Sequence, residues 1–264
     1  MRLIFTLAAL ILGANTVAEP NDALAEYRAS YQTTVYGIEA TAERSLTKLP
    51  PATNGDRRYQ LNNHSKVPLA SINETSIFSI DTNNQLHTET FSRKRGGLGS
   101  SKAFNQQWQW STLTVTSRYK KQDYIIEIYP RSFDRLNYQL AIRLEADSII
   151  NGQQYDDNYT GSYYPVVDRK SLRDNIVIHY RGEERLTTPL GELDTLKFEQ
   201  SKVTDPGHST TVWLAKDWHN LIAQFVFCDE GNCDTIKLTA ATIDGKNVTG
   251  APSESPLNKQ NPAE

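Results

Sequence analysis

From Tyr27 onward the apolar positions of this chain recur mostly at every second residue, in short runs cut by turn-forming residues. Alternation of this kind puts one set of side chains on one face of a strand and the remainder on the other. The first half predicts strands over residues 27–34, 38–49, 57–61, 68–80, 86–91, 106–115 and 123–130, with breaks near Gly37, at 50–56 and at 81–84. The second half predicts strands over 175–180, 192–200, 210–215, 221–228 and 233–243, joined in part by the turns Thr188-Pro-Leu-Gly191 and Asp205-Pro-Gly-His208. One stretch changes period. Over 133–150, Leu136, Leu140 and Leu144, with Ala141, recur every four residues after the capping residue Asp134, which predicts one helix with its apolar stripe turned toward the sheet. Residues 151–162 are polar and tyrosine-rich and read as a loop or hairpin. The fold class is therefore mainly β (α+β), antiparallel, with one principal amphipathic helix.

The N-terminus follows a different logic. Arg2 precedes an apolar run over 3–12, and small or polar residues follow as far as Ala18. Ten apolar residues are too few for a hydrocarbon core that needs about twenty. A positive start, an apolar run and a small residue at the cut describe a secretory signal over 1–18. No cysteine follows the run, so a lipid anchor at that site is excluded, and the product is expected to be exported and not membrane-spanning. Removing the first 18 of 264 residues leaves 246, and the net charge moves from −3 to −4 because Arg2 is the only charge lost. That balance gives no push toward nucleic acid. The length suits one β-rich domain over 27–244, after a linker at 19–26 and before an apolar-poor, disordered tail at 245–264.

Export also bears on the two cysteines. Cys228 and Cys233 stand at the mouth of one hairpin, and outside the cytoplasm a disulfide is the default. A redox pair is disfavoured by the spacing and by acidic neighbours that oppose a thiolate.

Candidate binding residues fall into two sets. Trp108 and Trp110 share a face at period two, and with Trp213, Leu136, Leu140 and Leu144 they are candidates to line a groove. Arg93, Lys94, Arg95 and Lys102 bracket a glycine-rich segment that leads into a strand and not into a helix, which argues against a phosphate loop. They read as a solvated hairpin tip able to meet an anion or a partner, forming one basic rim with Arg118, Lys120 and Lys121 if strand pairing brings them together. The five histidines lack metal-ligand spacing, and His208, Asp217 and His219 fit ordinary turns. Asp156-Asp157-Asn158 lacks the alternating oxygens of a calcium loop. No Gly-x-Ser-x-Gly elbow occurs. No catalytic residue, cofactor or metal is assigned.

The run G-E-E-R-L-T-T-P-L-G-E-L-D-T-L-K-F from Gly182 to Phe198, with V-W-L-A-K-D from Val212 to Asp217, resembles the bacterial envelope family DUF3108. Y-R-A-S-Y from Tyr27 to Tyr31, with Gly37 beyond it, is similar to that family's start, and Phe133-Asp134 to its middle, although Arg135 and Asn137 replace the family's proline and serine. The resemblance implies a periplasmic or secreted protein of a Gram-negative bacterium. By fold-level analogy it implies an open, half-closed β-barrel like those of lipoprotein carriers. The family has no established catalytic residues, so none transfers to this chain. The expected function is non-catalytic binding of a lipid, acyl chain, lipoprotein or other amphipathic envelope component. The alternative is an envelope scaffold that meets a protein partner through an edge strand or the basic tip.

Overall fold

The computed structural model describes residues 24–35, 38–97, 102–155, 160–173, 176–202 and 208–252. The expected signal, Gly37, the glycine-rich tip at 98–101, Asp156-Asp157-Asn158, the Asp205-Pro-Gly turn and the last part of the tail lie outside the described residues.

Eight strands form an antiparallel meander: β1 (Tyr27–Val35), β2 (Ile38–Leu49), β3 (Arg57–Val67), β4 (Ala70–Ile80), β5 (Leu86–Gly97), β6 (Lys102–Gln109), β7 (Thr114–Tyr119) and β8 (Gln122–Glu127). The chain then leaves the sheet for β9 (Phe133–Asp134), α1 (Tyr138–Leu144), α2 (Ala146–Tyr155), β10 (Ser162–Tyr163), β11 (Val166–Val167) and β12 (Leu172–Arg173). A second meander follows, of β13 (Ile176–Thr188), β14 (Gly191–Lys202), β15 (His208–Ala215), β16 (Leu221–Asp229) and β17 (Asn232–Ile243), with β18 (Lys246–Asn247) folded back on β17. β17 pairs with β1 and fuses both meanders into one sheet whose free ends are β10 and β8, so the barrel stays open. Strands β9, β11 and β12 make a separate small sheet.

Alternation creates the core. On β6, Phe104, Gln106 and Trp108 are buried while their neighbours are exposed. Leu46, Leu61, Ser76 and Phe91 are cross-strand partners in one inner row of β2 to β5. Leu46, Leu61, Phe91 and Phe104 share a cluster with Leu136, Leu140, Ile142 and Ile149 of the helical segment and with Ile178, Phe198 and Leu214 of the second meander. The helices therefore sit on the inner face, and each such aromatic or leucine contributes about 1.5–3 kcal/mol by leaving water.

The helical segment differs from the single predicted helix. Phe133-Asp134 pair in parallel with β11, α1 starts after Asn137, Glu145 interrupts, and α2 runs on through 151–155, which were expected to be loop. The cause is Asp134. Its Oδ1 accepts the backbone N–H of Leu136 (2.7 Å) and of Asn137 (2.9 Å), so the carboxylate closes a turn ahead of the helix instead of capping it.

Other boundaries shift as well. The expected strand 106–115 is two strands separated by a turn at 110–113, where Leu113 has φ 51°. Arg93, Lys94 and Arg95 belong to β5, not to a hairpin tip, because β5 pairs with β4 as far as Gly97. The start of the expected tail is held in place. Glu192 and Ala251 exchange backbone hydrogen bonds (2.8 and 2.9 Å), and Gly250 donates to Leu190 O at 2.7 Å. That approach needs the glycine of the Thr188–Gly191 turn. Gly191 has φ 106°, and a Cβ there would stand 2.6 Å from Ala251 O. Cys228 and Cys233 are register partners with Cα atoms 4.1 Å apart and are disulfide-bonded. Their hairpin turns on Glu230-Gly231 (φ 46° and 87°), the positive-φ pair that matches strand twist.

Candidate functional site

One inner row of the sheet breaks the apolar rule. Arg44 on β2, Asn63 on β3, Glu74 on β4 and Arg93 on β5 are successive cross-strand partners, one step along from the Leu46–Phe91 row. Charged groups on an inward-facing row lose hydration and persist only with partners or a function. Here they form one wall of a cavity of about 830 Å³, within the size range of ligand sites.

The other walls have different chemistry. Ile222, Phe225 and Phe227 of β16 and Ile236 of β17 supply an apolar side with Tyr31 and Ala42, and Phe227 is 38% exposed. Leu136 and Tyr138 enter from the helical segment, and Val166 and Ile176 from the strands beside it. Arg135, Asp168 and Arg173 close the remaining side.

Ion pairs and hydrogen bonds set the charged groups. Arg93 Nε lies 3.1 Å from Glu74 Oε1, and burial pushes the Arg93 guanidinium down from its ordinary value, with Arg135 and Arg169 adding repulsion against the pull of Glu74. Asp168 accepts from Arg135 Nη1 (2.8 Å) and Arg173 Nη2 (2.6 Å), while its own backbone carbonyl accepts Gln106 Nε2 at 2.9 Å. Burial alone would raise Asp168, but the two guanidiniums hold its carboxyl below the usual range. Arg44 Nη1 donates to the neutral Gln139 Oε1 of α1 at 2.7 Å.

Beneath the helix start lies a polar knot. Ser76 Oγ donates to Asp134 Oδ2 (2.5 Å), Asn137 Nδ2 to Thr88 Oγ1 (2.8 Å), and Asp134 N to Asn137 Oδ1 (3.0 Å). Burial pushes the Asp134 carboxyl up to about 7, against the pull of Ser76 and the two backbone donors. The knot ties the helical segment to β4 and β5 and so holds Leu136 and Arg135 over the cavity. Arg143 of α1 performs a similar task at the far side. It is buried, lies 5.0 Å over the Tyr27 ring, and donates to His219 O at 2.9 Å.

The sequence-derived candidates separate. Leu136 lines the cavity; Leu140 is in the core behind it and Leu144 packs against that core. Trp108 does not line the groove: it is buried in a second cluster with Val115, Ile126, Ile128 and Val167, and Trp110 stacks on it at 5.5 Å while donating to Thr88 O. Trp213 is on the opposite face of β15 from the core residues Val212 and Leu214, beneath Lys197 (5.1 Å) and bonded to Glu184. Trp108 and Trp110 were expected in the groove because period two reveals a shared face but not which cluster that face meets. The basic set also divides. Arg93 points into the cavity, Arg95 lines a smaller one of about 250 Å³, and Lys94 is exposed on the alternate face. Lys102 pairs in register with Arg95, and the Lys120-Lys121 turn lies at that same end of the sheet. Arg44, Glu74, Arg135, Asp168 and Arg173 were missed. The signal for Arg44 was its phase, two residues from Leu46 among inward positions.

Among the described residues, no three His, Cys, Asp or Glu side chains gather as a metal would require. No described helix is long and apolar enough to cross a membrane.

A large, open, antiparallel sheet wrapped around a helical segment and a partly charged cavity defines an open β-barrel-like protein. Residues 26–226 match the model of the family described as protein of unknown function (DUF3108), and the chain belongs to that family. No curated protein matches it in sequence. Among solved structures, it resembles a beta-barrel-like protein of the DUF1849 family from Brucella abortus at 9% identity and TM-score 0.54, covering 83% of this chain and 98% of that one. A candidate lipoprotein from Parabacteroides distasonis aligns at 9% identity and TM-score 0.35, over 83% and 96% of the two chains. MucB aligns at 10% identity and TM-score 0.30, over 86% of this chain and 56% of its own. The first of these supports the barrel-like fold; the other two are too distant to add to it.

Proposed function

We propose that the protein is exported and binds a hydrophobic or amphipathic component of the cell envelope in the 830 Å³ cavity, without transforming it. The observation that carries this reading is the apolar wall of Ile222, Phe225, Phe227 and Ile236, left open inside a sheet whose other inner rows are packed. Apolar surface facing an accessible cavity gains on filling, about 0.8 kcal/mol per buried methylene. The signal-like residues 1–18 and the Cys228–Cys233 disulfide support export. The test is native mass spectrometry and lipid extraction of the protein purified from the periplasm of its expression host. A mass adduct and an extractable lipid are expected; a bare chain mass with no lipid, in repeated preparations from lipid-rich cells, overturns the reading.

A second reading has its own observation. β8 is a free edge of the sheet, and Ile125 on it is 77% exposed. An unpaired edge with an exposed apolar residue suits strand addition by a protein partner. Loss of a cross-linked partner on Ile125→Lys, with lipid content unchanged, would favour it.

A further inference from the structure

We infer that the occupant of this cavity is an anionic amphiphile: an acyl chain ending in a carboxylate or phosphate, its headgroup held at Arg44. The inference rests on the lipid-binding reading above and adds the headgroup to it.

The charges of the cavity do not balance. Four arginines (Arg44, Arg93, Arg135 and Arg173) line it against two carboxylates (Glu74 and Asp168). The protein as a whole carries −3, so an excess of two positive charges in this one place is local and opposite in sign to the chain. Pairing shows where the excess resides. Asp168 is shared by Arg135 and Arg173, and Glu74 is taken by Arg93. Arg44 faces the neutral amide of Gln139. A half-buried guanidinium whose partner is an amide keeps donors for an acceptor that brings charge, and its planar fork matches a carboxylate or phosphate in two-pronged fashion.

Position completes the case. Ala42, two residues from Arg44 on the same face of β2, pairs with Tyr31 of β1, and both line the cavity beside Ile222 and Ile236. A molecule with its anionic end at Arg44 therefore has an apolar wall within the same cavity along which to lay a tail. A neutral apolar ligand would take water from the Arg44 guanidinium and bring it no charged partner, which is costly. A cationic one would add to their repulsion.

The test compares headgroups on one tail. The full exported chain is titrated, below micellar concentrations, with dodecanoate, dodecyl phosphate, monododecanoyl glycerol and dodecyltrimethylammonium, each displacing an apolar fluorescent dye. The two anions are expected to bind at least about tenfold tighter than the neutral and cationic compounds, as a charge-assisted hydrogen bond provides. Shortening the anionic tail by one methylene should weaken binding about fourfold. Arg44→Gln should lower the affinity of both anions about tenfold and so remove most of their preference over the neutral compound. Equal affinity across all four headgroups overturns the inference while leaving lipid binding intact. Failure of every amphiphile to bind overturns both. If Arg44→Gln does not fold, the headgroup series on the unaltered chain decides alone. The relative order of dodecanoate and dodecyl phosphate tells a fatty acid from a phosphate-bearing lipid.

Discussion

Substituting Asp134 by Asn tests the knot that holds the helical segment over the cavity. The carboxyl is fully buried, and burial, reinforced by Glu74, lifts it from 3.8 to about 7 despite three hydrogen-bond donors. Between those values the native protein holds a proton that the unfolded chain has released, so stability is fully present below about pH 4 and is lost as pH rises through about 7. At 1.36 kcal/mol per unit, the loss between pH 5 and pH 7.5 is about 2–3 kcal/mol. Asparagine keeps an oxygen for the Leu136 and Asn137 amides and offers an N–H toward Ser76, with nothing to ionise. Denaturant unfolding at the two pH values, on both proteins, isolates the effect. His179, lowered mainly by its own burial, and the carboxylates lowered by ion pairs titrate equally in both and cancel. The unaltered protein should lose about 2–3 kcal/mol more than Asp134→Asn over that interval. Parallel pH dependences would show that Asp134 is ionised in the native state and refute the reasoning.

Three further outcomes are expected. Gly191→Ala, which forces a Cβ against Ala251 O at a φ of 106°, should cost about 1–3 kcal/mol and release the strap after β18, seen as faster amide exchange at Glu192 and Ala251. The double substitution Cys228→Ser, Cys233→Ser should cost about 2 kcal/mol, the entropy of so short a loop, and lower Tm by about 4–8 °C without loss of amphiphile binding. Asp168→Asn should cost about 2 kcal/mol, less than a fully buried pair, because Arg135 and Arg173 reach solvent; it should also tighten anionic amphiphile binding by freeing both.

The sheet was legible because it is written in period two: β1, β2, β14, β16 and β17 lie within a residue or two of the runs that predict them. So was the hairpin of Cys228 and Cys233. The helix was half legible. Leu136, Leu140 and Ala141 do face the core, but a period cannot show that Asp134 spends its carboxylate on two local amides and delays the helix. The candidate site was the least legible part. Arg44, Asn63, Glu74 and Arg93 become a row only through the register of three strand pairs, while Asp168 joins Arg135 across 33 residues. Trp108 and Trp213 were both read as groove-lining, yet one fills a satellite cluster and the other lies under Lys197 on the opposite face of β15 from the core. Arg93 and Arg95 were read as a surface cluster with Lys94 because a charge run hides the alternation within it.

Ligand binding requires that the space between Ile222, Ile236 and Ala42 be an accessible cavity. Its most direct measurement is uptake of an apolar fluorescent dye by the unaltered protein and by Ala42→Trp, whose indole would occupy that space. Saturable dye uptake is expected in the first and its loss in the second, with Tm unchanged or raised. Equal uptake by a folded Ala42→Trp would contradict it.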